Sequence, residues 1–317
     1  DQEQWVRYIN SEGAVAAVNY YKVTNNSYED IRGLELDLTK RTGKWITGNI
    51  NYEYRVGTDG YFGVNEIYEN PADQREYLRR QFYQEKPRPR PRLKSYITFH
   101  TPPDLGPKFM DQNIAGSWNF TLISRWTSGL WDTWNPQNIE GIKYNIQWND
   151  YYNVDLRISK IFPFDNFDVK FFADINNLFN FKYFSRESFF DSFDYDFYMK
   201  SLHLPRNTAD ELQYGNIPGD DNPGDTRKVG VDFVPMEWIK DTENLNKVTD
   251  PSSRAIYYVA SSGKYMEYNN GAWGEVNKSR LDKVMDDKAY IDNPNQTYFT
   301  FLNPRNIFFG LTLTYHF

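Results

Sequence analysis

The chain has 317 residues, a formal net charge of -7 and no cysteine. The acidic balance argues against a nucleic-acid partner, whose phosphates call for a basic surface. The missing thiols exclude a disulfide scaffold, a thiol nucleophile and cysteine-ligated zinc. Apolar residues make up 39% but form no run of about 18 or more, so membrane helices are excluded. The 25 Tyr, 23 Phe and 9 Trp fit the aromatic girdles of outer-membrane barrels, although sugar-binding β-proteins are also rich in rings. The chain begins at Asp1 with no leader visible, so a mature or truncated chain is expected.

The dominant pattern is a two-residue period, the mark of strands with one apolar and one polar face. Ala14 to Val23 is an expected strand of ambiguous pattern. Leu34, Leu36 and Leu38 alternate with Glu35 and Asp37. Ile46, Ile50, Tyr52, Tyr54 and Val56 alternate with Thr47, Asn49, Asn51, Glu53 and Arg55. Leu93, Ile97 and Phe99 follow, set against Lys94, Tyr96, Thr98 and His100. Ile114, Gly116, Trp118, Phe120, Leu122 and Trp126 oppose Ser117, Asn119, Thr121 and Arg125. Next, Tyr152, Val154, Leu156 and Ile158 oppose Asn153, Asp155, Arg157 and Ser159. Val169, Phe171, Ala173 and Ile175 oppose Lys170, Phe172, Asp174 and Asn176. The last strand puts Ile307, Phe309, Leu311, Leu313, Tyr315 and Phe317 on one face. About eight strands result, each near the length that crosses a bilayer when tilted.

The links between these strands alternate in length. Residues 41–44, 102–113 and 161–166 are short; 57–92, 127–150 and 180–304 are long. Outer-membrane barrels have short periplasmic turns and longer outside loops, so the long loops are expected outside the cell and the C-terminus in the periplasm. Charge on a lipid-facing position costs about 2–4 kcal/mol for Arg or Lys at mid-membrane. The charged residues Glu35, Asp37, Glu53, Arg55, Arg125, Asp155, Arg157, Lys170 and Asp174 are therefore expected on the inner face. There they serve as cross-strand ion pairs or as ligand contacts.

The insertion from Phe181 to Pro304 is too long for a plain loop and should hold its own structure. Helices are expected over Ser188–Leu204 and Ser279–Tyr290, with a hairpin over Arg254–Gly274. Asp220, Asp221, Asn222 and Asp225 concentrate oxygen ligands in one turn, which either encloses calcium or is simply a solvated turn. His100, His203 and His316 are expected to pack rather than to ligate metal. The run Lys86-Pro87-Arg88-Pro89-Arg90-Pro91-Arg92 reads as a stiff, extended loop base that could touch lipopolysaccharide phosphates. No nucleophile elbow, phosphate loop or zinc helix is present, so no enzyme activity is expected.

Asn153-Val154-Asp155-Leu156-Arg157-Ile158-Ser159-Lys160 and Phe172-Ala173-Asp174-Ile175-Asn176-Asn177-Leu178-Phe179-Asn180 resemble the C-terminal part of a TonB-dependent outer-membrane receptor. Ile31-Arg32-Gly33-Leu34-Glu35-Leu36, Asn51-Tyr52-Glu53-Tyr54 and Asn303-Pro304-Arg305-Asn306-Ile307-Phe308-Phe309-Gly310 match in the same order. The small residue near the terminus is Gly310, where the family pattern expects one at 312. The resemblance implies an all-β fold, an antiparallel transmembrane β-barrel wall forming the C-terminal part of a larger barrel. Barrel strands then occupy 1–180 and 305–317, and 181–304 forms a mixed extracellular cap.

It also implies an N-terminal plug, further strands and a TonB complex as partners, alongside outer-membrane lipid. Tyr315 and Phe317 become the signal read by the barrel-assembly machinery. The implied function is import of a scarce nutrient (an iron chelate, cobalamin, a glycan or a peptide) through a plugged barrel. Two other readings stand: a non-transporting outer-membrane barrel displaying its cap for adhesion or assembly, and a soluble carbohydrate-binding β-protein. No cofactor is expected beyond the calcium alternative.

Overall fold

The computed structural model describes residues 2–13, 20–24, 27–61, 66–81, 83–84, 88–109, 112–139, 141–295 and 303–316. It is mostly β, built largely of antiparallel strands, and falls into two compact units. The first comprises Asp1–Thr39 and Asn49–Lys94, the second Lys40–Gly48 and Ser95–Phe317.

The first unit holds β1 (Gln2–Ile9), β2 (Tyr20–Thr24), β3 (Ser27–Lys40), β4 (Ile46–Tyr61), β5 (Glu66–Tyr68), α1 (Pro71–Gln81), β6 (Tyr83–Gln84) and β7 (Arg88–Pro89). β3 adjoins β4, and β6 and β7 pair with β4. The strand expected over Ala14–Val23 forms over its last four residues and Thr24. Its residues 14–19 lie outside the described part, and Tyr20–Thr24 pairs antiparallel with β1, from Gln2↔Thr24 to Val6↔Tyr20. β1 also runs parallel to β5.

The long loop expected over 57–92 contains further structure. β4 continues to Tyr61, and α1 follows with Pro71 at its first position, where no amide bond is lost. Asn70 Oδ1 accepts the Ala72 amide at 2.9 Å. Gln74 Oε1 accepts the Tyr68 amide at 2.6 Å and the Tyr77 hydroxyl accepts the Glu66 amide at 3.1 Å, so the helix is fastened to β5.

β8 (Arg92–His100) begins in the first unit and ends in the second, which continues with the two-residue strands β9 (Lys108–Phe109) and β10 (Gln112–Asn113). Next come β11 (Trp118–Thr127), the short pair β12 (Trp131–Asp132) and β13 (Ile146–Gln147), then β14 (Tyr151–Pro163) and β15 (Phe167–Asn176). After the cap the chain returns as β20 (Asn306–Tyr315), giving the hydrogen-bonded order β20–β15–β14–β11–β8. The turn expected over 161–166 narrows to 164–166, because β14 runs on to Pro163.

β20 has β15 as its sole described neighbour, and the described strands close no barrel. Among the described residues the long strands are β3, β4, β8, β11, β14, β15 and β20, and part of the eighth expected strand lies outside them.

The 181–304 segment carries α2 (Ser192–Ser201), α3 (Arg206–Glu211), α4 (Thr242–Leu245) and α5 (Lys278–Asp286). Its sheet is ordered β16 (Met236–Ile239), β17 (Ile256–Val259), β18 (Lys264–Asn269), β19 (Ala272–Glu275). The expected helices and hairpin all form, somewhat shorter than their sequence patterns. Asp191 caps α2 by accepting the Asp194 amide at 2.8 Å. The core joins Tyr198, Met199, Leu202, Leu212, Val284 and Ile291 to Trp134, Ile146 and Trp148 of the 127–150 connection.

Gly129 makes that joint possible, since a Cβ there would land on the Trp148 carbonyl. Gly129→Ala should displace the 129–148 contact and cost about 1–3 kcal/mol, the usual cost of overpacking. Denaturant unfolding checks this; an unchanged midpoint would contradict the close approach.

Candidate functional site: two strand faces and a cap network

Directly opposed residues of an antiparallel pair share a face. The register opposes Trp118 with Lys160, Phe120 with Ile158, Leu122 with Leu156 and Trp126 with Tyr152. It continues through Ile158↔Ala173, Lys160↔Phe171 and Phe162↔Val169 into Ala173↔Phe309, Phe171↔Leu311 and Val169↔Leu313. β11, β14, β15 and β20 therefore present one common apolar face. Rings gather at its two ends. At the loop end, Tyr152 packs on Phe181 and Phe181 on Phe179, at 6.0 and 5.6 Å. At the turn end, Phe164 stacks on Phe167 at 4.8 Å, and Trp118 meets Phe171 edge-on.

Lys160 stands on this apolar face, and the sequence reading passed over it. Only 2% exposed, its ammonium donates to the carbonyls of Asn113, Ile114 and Gly116 at 2.7, 2.7 and 2.9 Å. It also lies 5.5 Å from the Trp118 ring centre and 5.0 Å from that of Phe162. Three carbonyls and two ring faces replace the water a buried ammonium would otherwise need. The lysine thereby ties the 113–116 turn to the strand.

The opposite face of β11, β14 and β15 carries the charges expected there, Arg125, Asp155, Arg157, Lys170 and Asp174. Arg157 forms a two-pronged pair with Asp174 at 2.6 and 2.8 Å. In the first unit Asp37 accepts from Asn49 at 2.9 Å, Glu35 accepts from Asn51 at 2.6 Å, and Glu53 pairs with Arg92. Arg55, Arg125 and Lys170 are exposed, with Arg125 opposite Asn153 and Lys170 opposite Thr312. Gly310 lies on this face under the Phe172 ring, which a Cβ would strike. His100 bonds Thr47 at 3.1 Å and Asn119 at 3.4 Å.

The segments that carry the family resemblance meet at the loop end. Asp155 accepts the Asn177 amide at 2.8 Å and the Asn153 side chain at 3.0 Å. Asn177 is fully buried, with φ +51°, and donates to the Phe181 and Asn303 carbonyls at 2.9 and 2.7 Å. Asn303 returns a bond to Asn153 at 3.2 Å. Asp155, expected in an ion pair or as a ligand contact, here holds Asn177 at the end of β15, and Asn177 and Asn153 carry the link to Asn303 ahead of β20. Tyr315 lies opposite Phe167, His316 pairs with Asp168 at 3.2 Å, and Phe317 lies outside the described residues.

Two of the calcium candidates, Asp221 and Asp225, hold an ammonium. Lys288, 67 residues beyond Asp221 in the chain, places Nζ 2.9 Å from Asp221 Oδ1 and against Asp225. Asp221 also accepts the His203 amide at 2.8 Å and the Tyr290 hydroxyl at 3.2 Å. Asp225 accepts Asn149 at 2.9 Å and the Asn222 amide at 3.0 Å, while Asp220 is exposed. Among the described residues no three acids, histidines or cysteines gather around a metal-sized centre. Lys288 provides positive charge to the oxygens that a cation in this turn would use.

His203 stacks on Tyr290 at 3.7 Å, and burial, with Lys288 nearby, lowers its pKa from 6.5 to about 3. Compared with protein-family models, curated proteins and solved structures, the chain finds no match.

A buried neutral histidine binds fewer protons folded than unfolded between those two pKa values, so stability rises with pH there. The contribution is complete above about pH 6.5 and is lost as pH falls towards 3. His203→Phe, which keeps the stack, should flatten the pH dependence of unfolding across that window. An identical slope in both proteins would contradict the buried neutral state.

Proposed function

We propose that the long strands form part of an outer-membrane β-barrel wall, and that the chain is the C-terminal part of a TonB-dependent receptor. Such a receptor imports a scarce nutrient through a plugged barrel. The observation that carries the wall reading is the apolar face of β11, β14, β15 and β20, with rings at both ends. Leu311 and Leu313 are 73% and 67% exposed, and Tyr152 is 47% exposed. A contiguous apolar face of this kind needs a cover, and hydrocarbon is the cover whose margins attract rings.

The dimensions agree. Phe162 and Tyr152 share this face ten residues apart on β14, about 33 Å along a strand at 3.3 Å per residue. Tilted by about 35–45°, that distance spans roughly 25 Å of membrane normal, close to the apolar band of such barrels. Paired charges on the other face suit a lumen filled by water or plug. The receptor reading draws its support from the motif segments that converge on Asp155, Asn177 and Asn303.

The display reading keeps one specific support. Phe190, Phe193 and Phe197, 75%, 71% and 59% exposed, line one side of α2 and its approach, as a contact surface of the cap would.

Fractionation of cells making the chain with its native upstream sequence tests the proposal. The protein should remain in membranes through alkaline washing, require detergent for release and migrate anomalously before heating. Import that stops when the inner-membrane energy transducer is deleted supports transport; partner binding without energised import supports display. Tyr315→Ser should lower the membrane-inserted fraction severalfold if the terminal rings guide assembly. Release into aqueous fractions without detergent would overturn the wall reading.

A further inference from the structure

A cleft of about 230 Å³ opens in the second unit between residues 182–184, the 224–231 segment and Asn293. Its charged lining residues are Lys182, Arg227 and Lys228, and no carboxylate joins them. We infer that this cleft binds a small organic acid, the carboxylate held by these cations and the carbon body laid along Tyr183, Phe184 and Val231. The cleft is lined wholly by residues between Lys182 and Asn293, so its test is independent of the proposed function.

Three features prepare the site. Arg227 is fixed in place: its amide donates to Asn293 Oδ1 at 2.9 Å, Nη1 donates to the Ile291 carbonyl at 3.0 Å, and the guanidinium lies 5.3 Å from the Phe233 ring centre. A guanidinium has five N–H donors in a fork that matches a carboxylate, so most remain for a ligand.

Lys228 pairs with Asp287 at 3.0 Å, but Asp287 also serves Lys283 at 2.7 Å. One carboxylate thus answers two ammoniums, with Asp282 and Asp286 on the same side, so Lys228 brings only part of its charge to the cleft. Asp292 lies close enough to Arg227 for the guanidinium to hold its carboxyl down against the burial that pushes it up, so Arg227 shares part of its charge with this acid. Lys182 is exposed at the rim.

The volume lies below the roughly 300–1,000 Å³ of pockets for drug-sized ligands, which favours a compact di- or tricarboxylic acid. Apolar walls beside a cationic head separate this chemistry from that of inorganic phosphate, which has no carbon body to bury.

Calorimetry on the purified full chain, with citrate, inorganic phosphate and glucose as probes, tests the inference. Citrate should bind more tightly than phosphate, glucose should not bind, and affinity should fall with added salt. Lys182→Gln, at an exposed rim position, should weaken citrate roughly five- to tenfold, about 1–1.4 kcal/mol, with an unchanged unfolding midpoint. Arg227→Lys, which keeps the charge and loses the fork, should weaken it as well. No citrate binding at millimolar concentration, phosphate binding as tight as citrate, or an unaltered affinity in Lys182→Gln would each overturn it.

Discussion

Antiparallel pairing in fixed register is the constraint on which the second unit depends. Because opposed residues share a face, the match of Leu122 with Leu156, and of Phe171 with Leu311, commits every neighbour in those strands. A slip of one residue would set Arg157 against Ala173 or Ile175 in place of Asp174 and mix the two faces along the whole ladder. The ion pair and the apolar face are two consequences of one alignment. Exposed ion pairs contribute only about 0–1 kcal/mol each, so Arg157–Asp174 contributes more to register than to stability.

Two fastenings at opposite ends of the strands hold that alignment. At the loop end, Asp155 and Asn177 bind the ends of β14, β15 and the return of the chain at Asn303. At the turn end, the Lys160 ammonium collects three turn carbonyls. Both use polar groups that would be expensive if left unpaired away from water, and both are satisfied. The cap follows the same logic: Lys288 balances Asp221 and Asp225 under the stacked His203–Tyr290 pair.

Strand identity was legible in the sequence wherever the two-residue period was clean, as in 151–160, 169–176 and 307–315, because local alternation alone dictates faces. Helix α1 was not: its anchors, Tyr68–Gln74 and Glu66–Tyr77, depend on a partner strand of only three residues. The β1–β2 ladder escaped because Ala14–Val23 carries no clear alternation. Lys160 was within reach, since it lies two residues after Ile158 on the same face, but a charge there looks like an exception until the carbonyls appear. Lys288 was beyond reach: nothing local links it to a turn more than 60 residues earlier. The turn's composition left open a cation or a solvated turn, and the chain places its own ammonium on Asp221 and Asp225.

In the proposed wall, one face of β11, β14, β15 and β20 meets hydrocarbon while the other meets water or protein. The chain has no cysteine, so single cysteines at Val154, Asp155, Leu156, Arg157 and Ile158, and at Leu311, Thr312 and Leu313, can each carry a nitroxide in reconstituted bilayers. Collision with oxygen, which concentrates in lipid, against a water-soluble nickel chelate reads the environment of each site. The account predicts high oxygen access at Val154, Leu156, Ile158, Leu311 and Leu313 and low oxygen access at the positions between them. Equal access at neighbouring positions, or oxygen exclusion at Leu156 and Leu311, would contradict it.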